Sequence, residues 1–380
     1  MVYLDNAATT FPKPESVYVA MDEANRNMGV NAGRGSYSVA REASTLISET
    51  KNAIRNLVHT DSTSAVVFSP SITIALNQII NGIDWQDGAT VYVSPYEHNA
   101  VARTINSVSK KYKLKIIQLP IDKESLEIDI EKTIYEFSKA KPFAVFCTHV
   151  SNVIGYVLPV KEIFEEAKKY DSITILDSAQ SLGLIEVDVN QIQADIVAFA
   201  GHKCLYGPFG IGGFVNISGI KINEFITGGT GSDSLNLDMP SGAETKYEAA
   251  SCNIVAIAGL NAAIKEINIE KCFEHEKELT NYLIEKLREL KNIKIYLPKN
   301  LENHIGIVSF TIDDMSSEDI GMILDEDFDI AVRTGYHCAP YIHEYLNDMS
   351  SLGTVRIGIG QFNKKEDIIG LINSIKESCE

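Results

Sequence analysis

Two charged residues in this sequence stand where chemistry could be done. Asp177 closes the apolar run Ile173–Leu176, and Gly201-His202-Lys203 follow a second apolar run, Ile196–Ala200. Neither run alternates with polar residues and both are rich in Ile and Val, which predicts short strands buried on both faces. In an open α/β sheet, ligands sit outside the carboxyl ends of the strands. Neighbouring strands would therefore present a carboxylate and an amine to one crevice. A lysine that can form a Schiff base, with an acid that keeps a ring nitrogen protonated, is what pyridoxal phosphate requires. The plainer alternative is a structural Asp–Lys ion pair. Gln180 and His202, which accompany the two residues, favour the cofactor.

Other groups fall at corresponding places. Strand Ala65–Phe68 leads into Ser69-Pro70-Ser71-Ile72-Thr73 and then an amphipathic helix, and a helix start with hydroxyls beside it can bind an anion. Taken alone it is an ordinary N-cap. Strand Thr90–Ser94 ends in Pro95-Tyr96-Glu97-His98-Asn99. A histidine there could lie on a pyridine ring and move protons near neutral pH, or simply face solvent. Asn152 follows strand Phe143–Thr148 and is either a donor to cofactor or substrate or a turn residue before Gly155. Near the end, Arg333 and Cys338 flank a Gly turn, and Arg356 lies inside an apolar strand. A buried arginine needs an anion, either a substrate carboxylate gripped by two donors or a nearby Asp or Glu. Cys338, with His337 beside it, occupies a loop where a reactive thiol could stand.

Strand–helix alternation from residue 65 to 200 predicts a mainly parallel sheet covered on both faces by helices. Residues 1–15 read as an extended arm, with helices following over Glu15–Arg26 and Val39–Val58 around the loop Gly29–Ser38. Helices are also expected from Ser71, over Asn99–Lys111, Ser125–Ala140 and Val160–Tyr170. Gly228–Ser251 reads as a long surface loop. Almost continuous helix from Asn253 to about Leu290, weaker near Asn268–Lys271, strands near Lys294–Tyr296, His304–Thr311, Ile330–Thr334 and Thr354–Ile359, and a last helix Lys365–Glu377 suggest a smaller α+β unit.

The chain has 380 residues, 45% hydrophobic, with a formal net charge of −17. No basic cluster is present to follow nucleic acid or an acidic membrane, and no apolar run approaches membrane-spanning length. The first residues lack a signal-peptide pattern, so a cytoplasmic location is expected. Six cysteines, at 147, 204, 252, 272, 338 and 379, form no CxxC pair, and no histidine spacing suggests a metal site.

The motifs YLDNAATT, EHNAV, SNVIG, DSAQ, GHKCLYGPFGIGG, EAASCNI, RTGYHCAP and TVRIGIG run in this order nearly from end to end. The chain thereby resembles the class V, fold-type I pyridoxal-phosphate enzymes, and within them the SufS-like cysteine desulfurases and selenocysteine lyases. The RTGYHCA form resembles the group with a short, ordered catalytic loop. The resemblance implies a seven-stranded-type sheet in a large cofactor domain over residues 16–254, and a small α+β domain over 255–380 that carries the cysteine loop. The arm, 1–15, would pack with the small domain. Lys203 would join the cofactor, Asp177 pair with its ring nitrogen, Gln180 bond its phenolic oxygen and His98 stack on the ring. Thr73, His202 and the amides near Ser71 and Ile72 would hold the phosphate, with Ser251 reaching it from the other subunit of a homodimer. Asn152, Arg356 and Ala8 would meet the amino-acid substrate, and Cys338 would accept sulfur.

Several positions depart from that pattern. Ala200 stands where relatives often have Ser, Ile72 where Thr is frequent, Ser251-Cys252 in place of Thr-Pro, and Tyr37 in place of His. Gln361 and Phe362 replace an aromatic-Asn ending. The implied activity is release of L-alanine from L-cysteine, with a persulfide formed on Cys338 and passed to a sulfur-acceptor protein. Rival readings are a selenocysteine lyase; an aminotransferase, racemase or other lyase in which Cys338 is a bystander; and a scaffold or regulator without activity.

Overall fold

The computed structural model describes residues 1–32, 35, 37–231 and 234–378. Cys379 and part of the loop expected over Gly29–Ser38 lie outside the described residues. The chain begins with a short strand, β1 (Val2–Tyr3). Helices Glu15–Asn27 and Ser38–Leu57 follow. The next strands are β2 (Ala65–Ser69), β3 (Thr90–Val93), β4 (Lys115–Gln118), β5 (Ala144–Thr148), β6 (Ile173–Asp177), β7 (Ile196–Ala200) and β8 (Gly212–Asn216). They form one sheet in the order β2-β8-β7-β6-β5-β3-β4. β3 to β7 run parallel through their shared neighbours, and β8 is antiparallel to both β7 and β2. β2, β5, β7 and β8 are buried along their whole length, as strands covered on both faces must be.

β3 pairs with β4 on one side and β5 on the other, so the strand order reverses there. A crevice opens at the carboxyl edge of such a reversal. His98 lies just past β3, Asn152 past β5, Asp177 at the end of β6 and Lys203 past β7. The mainly parallel α/β fold thus brings the expected residues to one sheet edge.

The rest of the chain adds β9 (Ile293–Tyr296), β10 (Ile307–Ile312), β11 (Ile330–Ala331), β12 (Arg333–Gly335) and β13 (Thr354–Gly358). A four-stranded antiparallel sheet runs β12-β13-β10-β9, and β1 pairs with β11. The single strand expected over Ile330–Thr334 is therefore two, serving different sheets. Val332 lies between them. Helix Ser317–Glu326 and strand β8 are absent from the sequence reading. The helix is started by Ser316, whose Oγ accepts the Asp319 N–H at 3.1 Å. The helix expected from Ser125 begins at Ile130, because Asp129 caps it there through Lys132 N–H at 2.9 Å.

Candidate active site

β6 and β7 lie in register with Asp177 opposite Ala198. Asp177 is buried, and its Oδ1 accepts the Ala179 N–H at 2.9 Å. No other hydrogen bond to this carboxylate occurs among the described residues. Burial raises its pKa, while the Ala179 bond and Lys203 oppose the rise. Burial lowers the pKa of the Lys203 amine; Asp177 opposes this, and Arg356 and Arg333 reinforce it. An amine in such surroundings loses its proton more readily, as a Schiff base and a proton transfer both need.

His98 caps helix Asn99–Tyr112, its Nδ1 accepting the Ala100 N–H at 3.0 Å. That bond assigns the proton of the neutral ring to Nε2. Burial, then the charges of Lys203, Arg333, Arg356 and Arg103, push its pKa down to about 3. The ring is therefore uncharged near neutral pH and offers a donor at Nε2, with Nδ1 already engaged. This geometry suits stacking and donation better than the proton uptake near neutral pH expected from sequence.

The thiol loop is held from several sides. His337 and Cys338 both take left-handed backbone conformations, with φ of 47° and 59°, which ordinarily favour glycine. Asn152 Nδ2 donates to His337 O at 2.7 Å, and the Asn99 N–H donates to Cys338 O at 2.7 Å. His337 Nε2 and Thr354 Oγ1 are 2.8 Å apart. These bonds offset the strain of two consecutive left-handed residues, each costing of order 1–3 kcal/mol. Arg333 Nη2 donates to Cys338 Sγ at 3.3 Å, which sets a guanidinium directly on the sulfur. A cavity of about 750 Å³, lined by Asn99, Arg103, Arg333, Cys338 and His343 among others, opens beside the thiol.

Arg356 is buried in β13. Its Nη1 donates to Asn152 O at 2.9 Å and its Nη2 to Asp5 Oδ1 at 2.6 Å, whereas Nε is buried and unpartnered. The nearby-acid alternative is thus partly realised, by Asp5 of the arm, with Nε left unpaired. Ala8 is half-buried in that arm, its N–H on Asp5 O at 3.0 Å. Gln180 Nε2 donates to Ala7 O at 2.7 Å.

At the other end of the crevice, Ser71 caps helix Ile72–Gly82 through the Ile74 N–H at 3.3 Å. The amides of Ile72 and Thr73 belong to the first turn, where helical partners are lacking. Thr73 is exposed and Ile72 buried. Ser69 Oγ and His202 Nδ1 are buried and have no partner, and the His202 ring stacks on Phe209 at 4.8 Å. Ser251 is exposed, sharing a cavity of about 260 Å³ with Ser69, Pro70 and Gly210.

Six residues that touch this site carry no role in the sequence reading. Asp5 pairs with Arg356. Thr9, Thr10 and Lys13 all donate to His202 O, through Oγ1 at 3.0 Å, Oγ1 at 3.3 Å and Nζ at 2.8 Å, so the arm grips the lysine-bearing turn. Arg333 contacts the thiol. Glu97 is wholly buried beside His98. An acid placed directly before a strand-end histidine was the available signal for Glu97. The others depend on contacts that no local pattern carries.

The sheet edge, the arm and the thiol loop together define a class of protein, and the chain belongs to the family Aminotransferase class-V, which matches residues 2–371. Among curated proteins it is 33% identical to a probable cysteine desulfurase of Halalkalibacterium halodurans, covering 100% of this chain and 93% of that one. It is 30% identical to a cysteine desulfurase of Haloferax volcanii, covering 100% and 90%. Among solved structures, the apo cysteine desulfurase of Thermococcus onnurineus NA1 superposes with a TM-score of 0.91 at 29% identity, covering 99% and 94%.

Proposed function

We propose that this chain is a pyridoxal-phosphate-dependent cysteine desulfurase that releases L-alanine from L-cysteine and retains sulfur as a persulfide on Cys338. The observation that carries the reading is the Cys338 thiol beside the Arg333 guanidinium, in a loop bonded to Asn152 and to the His98 turn. Likeness to named desulfurases over the full chain supports it.

Groups that the protein leaves without partners fit the cofactor. Ser69 Oγ and His202 Nδ1 are buried and unpaired beside a helix start, as an anion would require. Asp177 has one accepted bond on a buried carboxylate, and Lys203 has none on its amine among the described residues. Asp177 would meet the ring nitrogen, His98 the ring face, Gln180 the phenolic oxygen, and Ser71, Ile72, Thr73 and His202 the phosphate. When bound, pyridoxal phosphate supplies the electron sink that lets the Cα–H and Cβ–S bonds of an amino acid break.

Arg356 Nε and the open face of Asn152 would orient the substrate carboxylate. Lys203, its amine pKa lowered, would take the α-proton. The Cys338 thiolate would bond to the substrate sulfur as the Cβ–S bond breaks. The electron pair left on carbon would take up a proton, giving alanine, and Cys338 would keep the sulfur. Arg333 would steady the thiolate before attack and the persulfide after it.

A homodimer with shared sites is part of the same reading. Leu235 is 98% and Leu237 102% exposed in the segment that leads to Ser251, and Phe209 and Phe225 are exposed as well. Apolar side chains left in solvent are what a subunit interface would cover. The five described cysteines are all free thiols, which suits a reducing cytoplasm. A sulfur-acceptor protein would reach Cys338 from its outer cavity. Incubation of the cofactor-loaded protein with L-cysteine and a thiol acceptor tests the reading: alanine and transferred sulfur should form in equal amounts. Formation of a keto acid with the pyridoxamine form would contradict it.

A further inference from the structure

Glu97 takes no part in the chemistry proposed above, yet it is 0% exposed and lies one residue from His98. Its Oε1 accepts two short hydrogen bonds, from Ser94 Oγ and from the Thr148 N–H, both at 2.6 Å. Ser94 follows β3 and Thr148 ends β5, so one oxygen ties together the strands that meet where the sheet order reverses. Oε2 is buried and has no partner.

An ionised carboxylate with an unpaired, dehydrated oxygen is costly. A carboxylic acid accepts through its carbonyl oxygen and carries its proton on the other, and that division matches the observed bonding. The surroundings agree. Burial, against the Ser94 bond and with the charge of Asp177 adding, moves the Glu97 pKa up to about 8. Tyr341 and the buried Cys147 also feel this carboxyl, and neither supplies a positive charge.

The turn that Glu97 anchors carries two parts of the site. Among the described residues the His98 ring bonds only within its own turn, to Ala100, so the ring is fixed through the backbone. The next residue, Asn99, gives its N–H to Cys338 O at 2.7 Å. Displacing the turn would move the imidazole and the thiol loop together.

We propose that Glu97 is a positioning residue: as a neutral carboxylic acid bonded to Ser94 and Thr148, it locks the His98–Asn99 turn against β5 and so places both the imidazole and Cys338. Its catalytic consequence rests on the desulfurase reading; its structural part does not. Glu97→Gln keeps a neutral group with the same carbonyl acceptor, whereas Glu97→Ala removes the acceptor and Glu97→Asp shortens its reach.

The test begins on the protein without cofactor. Infrared difference spectra between wild type and Glu97→Gln at neutral pH should show the C=O stretch of a protonated carboxyl in the wild type. Amide exchange at Thr148 and Asn99 should quicken in Glu97→Asp and Glu97→Ala but not in Glu97→Gln. On the loaded enzyme, kcat for alanine release should fall by about a hundredfold in Glu97→Ala, as a displaced catalytic group would cause. KM should change little, and Glu97→Gln should stay near wild type. A carboxylate band in the wild type, or Glu97→Gln as impaired as Glu97→Ala, would overturn the proposal. Should Glu97→Ala not fold, Glu97→Asp carries the same comparison. Wild-type protein that makes no alanine would count against the desulfurase reading, and the infrared and exchange results would still decide the role of Glu97.

Discussion

At the scale of single residues, the chemistry turns on which form each side chain holds. Cys338 is half-buried with one cation, Arg333, at 3.3 Å from its sulfur. Arg333→Gln removes the donor on this sulfur and should slow alkylation of Cys338 by iodoacetamide at pH 7 by about tenfold. Equal alkylation rates in the two proteins would mean that Arg333 serves the fold alone. Lys203 and Asp177 were legible from sequence because each sits at the end of an apolar strand, a purely local signal. Asp5 was not. Its partner Arg356 lies 351 residues away, and nothing near either residue announces the other. The sequence offered Arg356 a substrate or an acid, and the fold supplies the acid while leaving Nε without a partner.

At the scale of elements, β8 explains both a missed strand and the close packing at the start of helix Ile72–Gly82. Its first two residues are glycines, which weaken any strand pattern. A Cβ on Gly213 would stand 2.1 Å from Val67 O, and one on Gly212 would stand 2.8 Å from Ile72 N. The glycines are there because backbone from β2 and the helix start come too close for a side chain. Gly212→Ala should push the first turn of helix Ile72–Gly82 outward and weaken cofactor binding by about tenfold, roughly one lost hydrogen bond's worth. Titration of the apoprotein with pyridoxal phosphate, followed by absorbance, measures this. Unaltered affinity in a folded Gly212→Ala protein would show that the helix start is not part of the phosphate cradle. The parallel order of β3 to β7 was legible from alternation of apolar runs and helices. The division of residues 330–335 between two sheets was not, since the pieces are only two and three residues long and Val332 alone separates them.

Across the whole molecule, several histidines are buried and uncharged. His149 is 6% and His304 0% exposed, and burial lowers the pKa of each to about 4. The unfolded chain binds those protons near the ordinary value of 6.5, so between pH 6.5 and 4 the unfolded state holds more protons than the folded one. Stability is then lost as pH falls through that window, by an amount on the order of 3 kcal/mol for a fully expressed shift of this size. Glu97 acts in the opposite sense, because its folded pKa is raised: its contribution is present at low pH and is lost as pH rises from the ordinary carboxylate value through about 8. Melting curves of the apoprotein should fall steeply from pH 6.5 to 4, and His149→Gln should flatten that fall. Parallel curves for the two proteins would rule out the buried neutral state of His149.

The arm is the feature that binds the molecule into one site. It pairs β1 with β11, gives Asp5 to Arg356 and places Thr9, Thr10 and Lys13 on the carbonyl of His202. Residues 1–13 thus connect the lysine turn to the strand that follows the thiol loop. The central claim, that sulfur leaves L-cysteine for Cys338, is tested most directly by intact and peptide mass spectrometry after a single addition of L-cysteine to the loaded enzyme. The account predicts one added sulfur on the peptide containing Cys338, matched by one alanine and absent in Cys338→Ser. Alanine formed at the wild-type rate with no sulfur on Cys338, or the same transfer in Cys338→Ser, would contradict it.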